Sequence, residues 1–248
     1  MVFLLLLLST EPAKVLNLPG EFKTVRTADF LVYLAPGFGK SIFQLDTHSI
    51  DAETVDLQPV IFTDDENNRI DGFEITPFAL YLNNGKVLDK FFFVSGVKES
   101  IYESRDISSF AVMPTEEIIL ADYKSDELIF LDSKNEVKFR ISNQEIIDLK
   151  CGNGLVYGLT GKKIVMFDEY GNITDETALP EKMQHLYVDS ALLYAYSNVK
   201  DYLYIYRSNN WEKVDLQVMV SDIAAIGSSL VILDNAGTHL YFYNRSAF

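Results

Sequence analysis

Short apolar runs separated by polar turns follow one another along the chain from Leu18 onward. Most of these runs are wholly apolar or alternate apolar and polar residues, and Gly, Asn, Asp, Ser and Pro stand between them. No stretch of helical length carries the 3.6-residue apolar spacing of an amphipathic helix. The pattern therefore predicts an all-β protein.

One unit of four predicted strands is clear in the middle of the chain. Its strands are joined by tight turns and lie at Ile107–Val112, Glu117–Asp122, Glu127–Asp132 and Val137–Ile141. Residues 146–179 repeat the pattern, although not the residue identities. Repetition of this kind indicates a fold built from similar sheets.

The repeat can be followed along the whole chain by the ends of the third strands. These ends are Asp46, Ser95, Asp132, Asp168, Arg207 and Asn244, spaced 49, 37, 36, 39 and 37 residues apart. Antiparallel units of four strands and about 35–50 residues are the blades of β-propellers. We therefore predict a single six-bladed β-propeller over residues 11–248, and we assign the long first interval to a polar insertion at residues 63–69.

The last unit supplies only three predicted strands before Phe248. Residues 13–18, Ala-Lys-Val-Leu-Asn-Leu, precede the first unit and have the alternation of a strand. Pairing this N-terminal strand with the last blade would remove two open sheet edges. We therefore expect the N-terminal strand to close the ring.

The phrase Phe-Asp-x-x-Gly-Asn at residues 167–172 follows a strand and forms a predicted turn. With it, the repeat resembles the blades of the six-bladed group that includes NHL-repeat, TolB-like and gluconolactonase-like proteins. The Trp-Asp signature of WD40 blades and the paired glycines of kelch blades are absent. The resemblance implies a scaffold and carries no function with it.

Acidic residues outnumber basic residues 36 to 21, which gives a formal net charge of −15. A negative field repels nucleic-acid phosphates and anionic lipid head groups, so we expect no nucleic-acid partner. Cationic partners or metal ions fit this charge better. The single cysteine, Cys151, excludes an intramolecular disulfide and is interpreted as a small buried apolar group.

Residues 1–10 form an apolar, signal-like segment without a basic start, and the run is too short to span a bilayer. We therefore expect no integral membrane segment and an extracytoplasmic protein, either periplasmic or secreted. The alternative is a cytoplasmic protein in which residues 1–10 are a buried or frayed N-terminal segment.

Acidic residues precede the inner strand in four of the six units, at Asp71, Asp106, Glu145 and Asp222. If they converge around one channel opening, they predict a calcium site or a mouth that receives a Lys or Arg of a partner. The alternative is a solvated rim, because lysines occur in the loops between second and third strands on the same face. These are Lys40, Lys86, Lys124, Lys162 and Lys200.

No catalytic motif is visible, although His185 and Asp148 are expected to lie in neighbouring inner strands. Two aromatic residues, Phe38 and Tyr123, lie in loops on the predicted ligand face. We therefore favour a non-catalytic propeller that binds a protein or peptide through Phe38, Tyr123 and the acidic rim, with no required cofactor.

Two other functions remain open. The resemblance to gluconolactonase-like proteins implies a divalent-metal-dependent hydrolase or lactonase that uses the four acids, although the asparagine ligands of that group have no clear counterpart here. The third hypothesis is a structural subunit of a cell-envelope assembly.

Overall fold

A computed structural model describes residues 11–49, 55–63, 65–142, 145–189 and 192–247. Within these residues the chain forms 24 β-strands, numbered β1 to β24, and two single-turn 3₁₀ helices, at Thr47–Ser49 and Arg245–Ala247. No described helix is long and apolar enough to cross a membrane.

The strands form six antiparallel sheets of four, which we number blades I to VI. Blade I contains β2 to β5, at Thr24–Ala28, Leu31–Ala35, Ser41–Asp46 and Gln58–Ile61. Blade II contains β6 to β9, at Gly72–Ile75, Ala79–Asn83, Val87–Phe92 and Lys98–Glu103. Blade III contains β10 to β13, at Ile107–Val112, Ile118–Asp122, Glu127–Leu131 and Val137–Ser142.

The remaining blades follow the same order from inner to outer strand. Blade IV contains β14 to β17, at Asp148–Gly152, Leu155–Leu159, Lys163–Phe167 and Ile173–Ala178. Blade V contains β18 to β21, at His185–Asp189, Leu192–Tyr196, Tyr202–Arg207 and Asn210–Asp215. Blade VI contains β22 to β24, at Val220–Ile226, Ser229–Asp234 and His239–Asn244, and its outer strand is β1 at Lys14–Asn17. The predicted six-bladed propeller is confirmed.

The predicted closure of the ring by the N-terminal strand is also confirmed. β1 pairs antiparallel with β24, with Lys14 opposite Phe242 and Asn17 opposite His239. Leu16 is 6% exposed and packs in an apolar cluster that joins blade VI to blade I. The first strand therefore completes the last sheet and also seals the gap between the two ends of the ring.

Six apolar clusters of described residues form the core, one in each gap between neighbouring blades. Each cluster combines side chains from the facing sheets of two blades, because the residues of a strand alternate between its two faces. The core is thus distributed around the ring, and the centre of the ring is left to the innermost strands.

The long first interval of the repeat has two structural sources. The polar segment 63–69 lies between β5 and β6 as predicted, with Asp64 outside the described residues. The β4–β5 connection, residues 47–57, is also long and adds to the first interval. Within segment 63–69, Arg69 forms a β-bridge with Phe38 of the β3–β4 loop, so the insertion is paired to blade I.

We expect Leu16→Ala to lower the free energy of unfolding by about 2–4 kcal/mol, because it opens a cavity at the ring closure. Val15, on the same strand, is 44% exposed, and Val15→Ala is the matched control. Urea unfolding followed by circular dichroism measures both variants. Equal midpoints for the two would contradict a structural role of β1 in closing the ring.

Candidate functional site

A cavity of about 650 Å³ lies at one end of the central channel. Its rim comes from the loops that lead into the inner strands and from those between second and third strands, and we call this side the mouth face. Each inner strand contributes to the lining one residue that stands immediately before a buried apolar residue. These six residues, the mouth ring, are Thr24, Gly72, Ser109, Asp148, His185 and Asp222.

Deeper in the cavity, ion pairs cross the channel. Arg26, Glu74 and Lys150 each lie two residues beyond a member of the mouth ring, so strand alternation brings them to the same wall. Arg26 lies 2.6 Å from Asp222 through Nη1 and 3.0 Å from Glu74 through Nε. Lys150 Nζ lies 3.3 Å from Glu74 and 3.7 Å from Asp148. We call these five residues the channel charge chain; three carboxylates and two cations leave one negative charge in excess.

Two carboxylates of the channel charge chain also hold neighbouring blades together. Asp222 Oδ2 accepts the backbone N–H of Val25 in blade I at 2.9 Å. Asp148 Oδ2 accepts the N–H of Leu186 in blade V at 2.8 Å. Ser109 Oγ of blade III likewise accepts the backbone N–H of Leu149 in blade IV at 3.0 Å. These contacts satisfy backbone donors that the innermost strands cannot pair across the channel.

Burial and charge act in opposite directions on this network. Burial by itself would raise the pKa of Asp222, but Arg26 and Lys150 outweigh it and lower that pKa below its usual value. Burial likewise opposes the charge of Arg26, and the facing carboxylates raise the pKa of its guanidinium. Tyr196 donates its hydroxyl to Asp222 Oδ1 at 2.7 Å, and its burial together with Asp222 raises its pKa. Arg26 and Asp222 therefore form a charged pair at neutral pH.

The four acids predicted from the sequence occupy different places. Asp222 belongs to the channel charge chain, and Asp71 lines the rim, where Arg69 pairs with it at 2.6 Å. Asp106 and Glu145 are exposed and do not line the cavity. The expected convergence of four carboxylates is not found in the cavity lining, because Asp106 and Glu145 lie too early in the chain, before Ser109 and Asp148, the mouth-ring residues of their inner strands.

The described residues contain no group of three or more His, Cys, Asp and Glu side chains that could hold a metal ion. Calcium binding by the four acids therefore stays a prediction. The lysines of the alternative solvated rim do form some ion pairs on the mouth face. Lys40 contacts Glu66 at 2.6 Å, and Lys200 contacts Glu181.

The two predicted aromatic residues are both exposed, but only one lies at the cavity. Phe38 is 60% exposed and lines the mouth, with Lys23 Nζ 5.9 Å from its ring centre. Tyr123 is 70% exposed in the β11–β12 turn of blade III and does not line the cavity. Of the two predicted aromatic contacts, the one at the cavity is therefore Phe38 of blade I.

Two other residues singled out from the sequence are now placed. His185 is in the mouth ring with its ring 5.2 Å from that of Tyr196, while its neighbour Asp148 accepts backbone N–H groups. Cys151 is partly buried, and desolvation raises the pKa of its thiol, which disfavours the reactive thiolate.

Arg26, Glu74 and Lys150 were missed from the sequence, because the candidate acids were sought only at the entry to each inner strand. A signal for them exists, since each follows directly on a buried apolar residue inside an inner strand. A charged residue in the middle of an inner strand has to face the channel or remain unpaired.

We expect Arg26→Met to lower the free energy of unfolding by about 3–5 kcal/mol, because it removes the ion-pair partner of the buried Asp222 and leaves Glu74 with Lys150 alone. Arg69→Met is the control; its pair with Asp71 is exposed, so the expected change is about 0–1 kcal/mol. Chemical unfolding at pH 7 distinguishes the two. A similar small loss in both variants would contradict the structural importance of the channel charge chain.

The lowered pKa of Asp222 makes stability depend on pH. The folded pKa lies below the unfolded value of about 3.9, so this stabilisation is present above about pH 4 and is lost as the pH falls further. Asp222→Asn should therefore flatten the fall in unfolding free energy between about pH 4 and pH 2. Urea unfolding across this range, with exposed Asp106→Asn as the control, measures the slope. Parallel curves for wild type and Asp222→Asn would contradict the assignment.

Comparisons with known proteins agree on the fold. No protein-family model matches the sequence, and no curated protein matches it. Among solved structures, a chain of the mitotic checkpoint complex matches with a TM-score of 0.66 and 14% identity, covering 95% of this chain and 92% of that chain. Virginiamycin B lyase from Staphylococcus aureus matches with a TM-score of 0.68 and 10% identity, covering 93% and 98%.

The Pan2 WD40 domain of Neurospora crassa matches with a TM-score of 0.64 and 12% identity, covering 91% of this chain and 81% of that chain. At these identities the likeness establishes the architecture alone. The chain is thus similar in fold to a chain of the mitotic checkpoint complex, to a WD40 domain and to a lyase.

Proposed function

We propose that this protein is a non-catalytic binding propeller that holds a protein or peptide partner at its mouth face. The observation that carries the proposal is Phe38, a large apolar side chain 60% exposed at the edge of a polar cavity of about 650 Å³. An aromatic side chain beside a cavity has the form of an interface anchor, since covering it with a partner removes apolar surface from water.

The backbone around Phe38 is held in place before any partner arrives. Gly39 N donates to Asn68 O at 2.9 Å, and Ile70 N donates to Gly37 O at 3.0 Å. These bonds tie the β3–β4 loop to the segment that leads into blade II. A preorganised loop loses little conformational entropy on binding, which favours affinity.

The charge of the site favours a basic partner. The channel charge chain has one negative charge in excess, and the whole chain has a formal charge of −15. Such a field accelerates the approach of a cationic segment and repels nucleic acid. The proposed partner segment places an apolar side chain on Phe38 and a Lys or Arg toward Glu74, which is within reach from the mouth.

The similar structures support this proposal at the level of the scaffold. One belongs to the mitotic checkpoint complex and another is a WD40 domain. The proposal also includes an extracytoplasmic location, which rests only on the apolar sequence of residues 1–10. The metal-dependent hydrolase and the envelope subunit stay untested predictions. Of the four metal ligands proposed for the hydrolase, Asp106 and Glu145 lie outside the cavity.

A displayed library of random peptides, selected on the wild-type protein, tests the binding function. We expect selected peptides to combine basic and apolar residues and to lose about ten-fold or more in affinity for Phe38→Ala, because the anchor is removed. Affinity is measured by fluorescence anisotropy with the labelled peptide, and its fall with added salt tests the charge contribution.

Phe30→Ala, on the opposite face of the same blade, is the matched control, since Phe30 is 62% exposed. Equal affinity for wild type and Phe38→Ala, or selection of acidic peptides, would overturn the proposed mode of binding.

A further inference from the structure

Two exposed apolar side chains line the mouth cavity on opposite sides of the ring. Phe38 belongs to the β3–β4 loop of blade I, and Ile147 immediately precedes the inner strand of blade IV. Ile147 is 43% exposed. Among the described residues, only these two large apolar side chains are both exposed and in the lining of the cavity. Two blades lie between them in each direction around the six-bladed ring.

The position of Ile147 is fixed by the blade behind it. Its backbone N–H donates to Leu159 O at 2.7 Å, which continues the pairing of β14 with β15. The residue before it, Ile146, is buried in the apolar cluster between blades III and IV. Strand alternation then turns Ile147 away from that cluster. Like Phe38, Ile147 therefore needs little ordering before a partner covers it.

The carboxylate of Glu74 connects these two sides of the mouth. Glu74 Oε1 lies 3.0 Å from Arg26 Nε of blade I and 3.3 Å from Lys150 Nζ of blade IV. Glu74 Oε2 has no hydrogen-bond or ion-pair partner among the described residues, and the side chain is 20% exposed in the cavity. One acceptor is therefore left open in a channel charge chain that has one negative charge in excess.

The lining on blades V and VI is polar and also has free hydrogen-bonding groups. Asn198 lies in the β19–β20 loop and Asn235 in the β23–β24 loop, and both line the cavity. Their side-chain amides make no hydrogen bond to the part of the chain that the structure describes. A side-chain amide has both donors and an acceptor, which are the groups that the backbone of an extended peptide requires.

We propose that the partner of the mouth face is an extended peptide segment that crosses from blade I to blade IV and carries a basic residue between two apolar residues. This inference rests on the proposed binding function and specifies its partner. One apolar side chain of the peptide packs on Phe38 and the other on Ile147. The Lys or Arg between them donates to Glu74 Oε2.

The separation of the two apolar contacts favours a peptide over a single inserted side chain. Phe38 and Ile147 lie on opposite blades with charged groups between them, so one apolar group cannot cover both. An extended chain advances about 3.3–3.6 Å per residue and can place different side chains on the two contacts. The alternation of apolar, charged and apolar groups along this line is what the peptide has to match.

Peptides selected on the wild-type protein by display test the inference through fluorescence anisotropy. We expect Ile147→Ala to weaken their binding about five-fold or more, because an apolar contact is removed. Val199→Ala is the matched control, since Val199 is 70% exposed on the same face, in the β19–β20 loop, but does not line the cavity. It should bind like the wild type, and thermal melting checks that both variants are folded.

Double-mutant cycles between protein and peptide locate the two contacts. Each apolar residue of a selected peptide is replaced by alanine and measured against Phe38→Ala and Ile147→Ala. We expect the loss caused by Phe38→Ala to disappear when one apolar peptide residue is replaced. The loss caused by Ile147→Ala should disappear with another apolar residue, on the other side of the Lys or Arg.

The outcomes separate this inference from the proposed function. Peptides that depend on Phe38 but bind Ile147→Ala as tightly as the wild type overturn the crossing and leave the binding function intact. Coupling of Phe38 and Ile147 to the same peptide residue also overturns the crossing. Selected peptides that bind Phe38→Ala and Ile147→Ala like the wild type overturn both.

Discussion

The pairing of β1 with β24 is the constraint on which the rest of the structure depends. Every apolar cluster of the described core lies between two blades, so each blade needs a complete neighbour on both sides. Without β1, blade VI would have an open edge, and the cluster around Leu16 would lose one wall. Closure by a strand from the other end of the chain turns six marginal sheets into one cooperative ring.

At the centre of the closed ring, six inner strands converge, and the channel-facing edge of each has no further strand to pair with. Asp148 and Asp222 satisfy some of these unpaired backbone donors by accepting N–H groups of the next blade. Their charges then require cations, which are Arg26 of the adjacent blade for Asp222 and Lys150 of the same strand for Asp148. The polar cavity is therefore a consequence of closure, and the binding function that we propose uses a surface that the fold had to make polar.

The general architecture could be predicted from the sequence because it depends on local patterns. Strand alternation, polar turns and the repeat length determine six blades, and the unpaired strand Lys14–Asn17 has only one open sheet to complete. Phe38 could also be identified, since an aromatic residue between Gly37 and Gly39 has no place inside a strand. These features depend on the order of residues along the chain.

The composition of the cavity depended on tertiary structure. A β-bulge between Val220 and Asp222 places Asp222 in the mouth ring, whereas Asp106 precedes its inner strand and stays outside the ring, although both acids stand near the start of an inner strand. Glu74 meets Lys150 only because the ring brings the inner strands of blades II and IV together in front of blade III. The sequence by itself determined the propeller and its closure. The ring geometry decided which charges meet, because a single extra residue at a β-bulge changes which side chains of an inner strand face the channel.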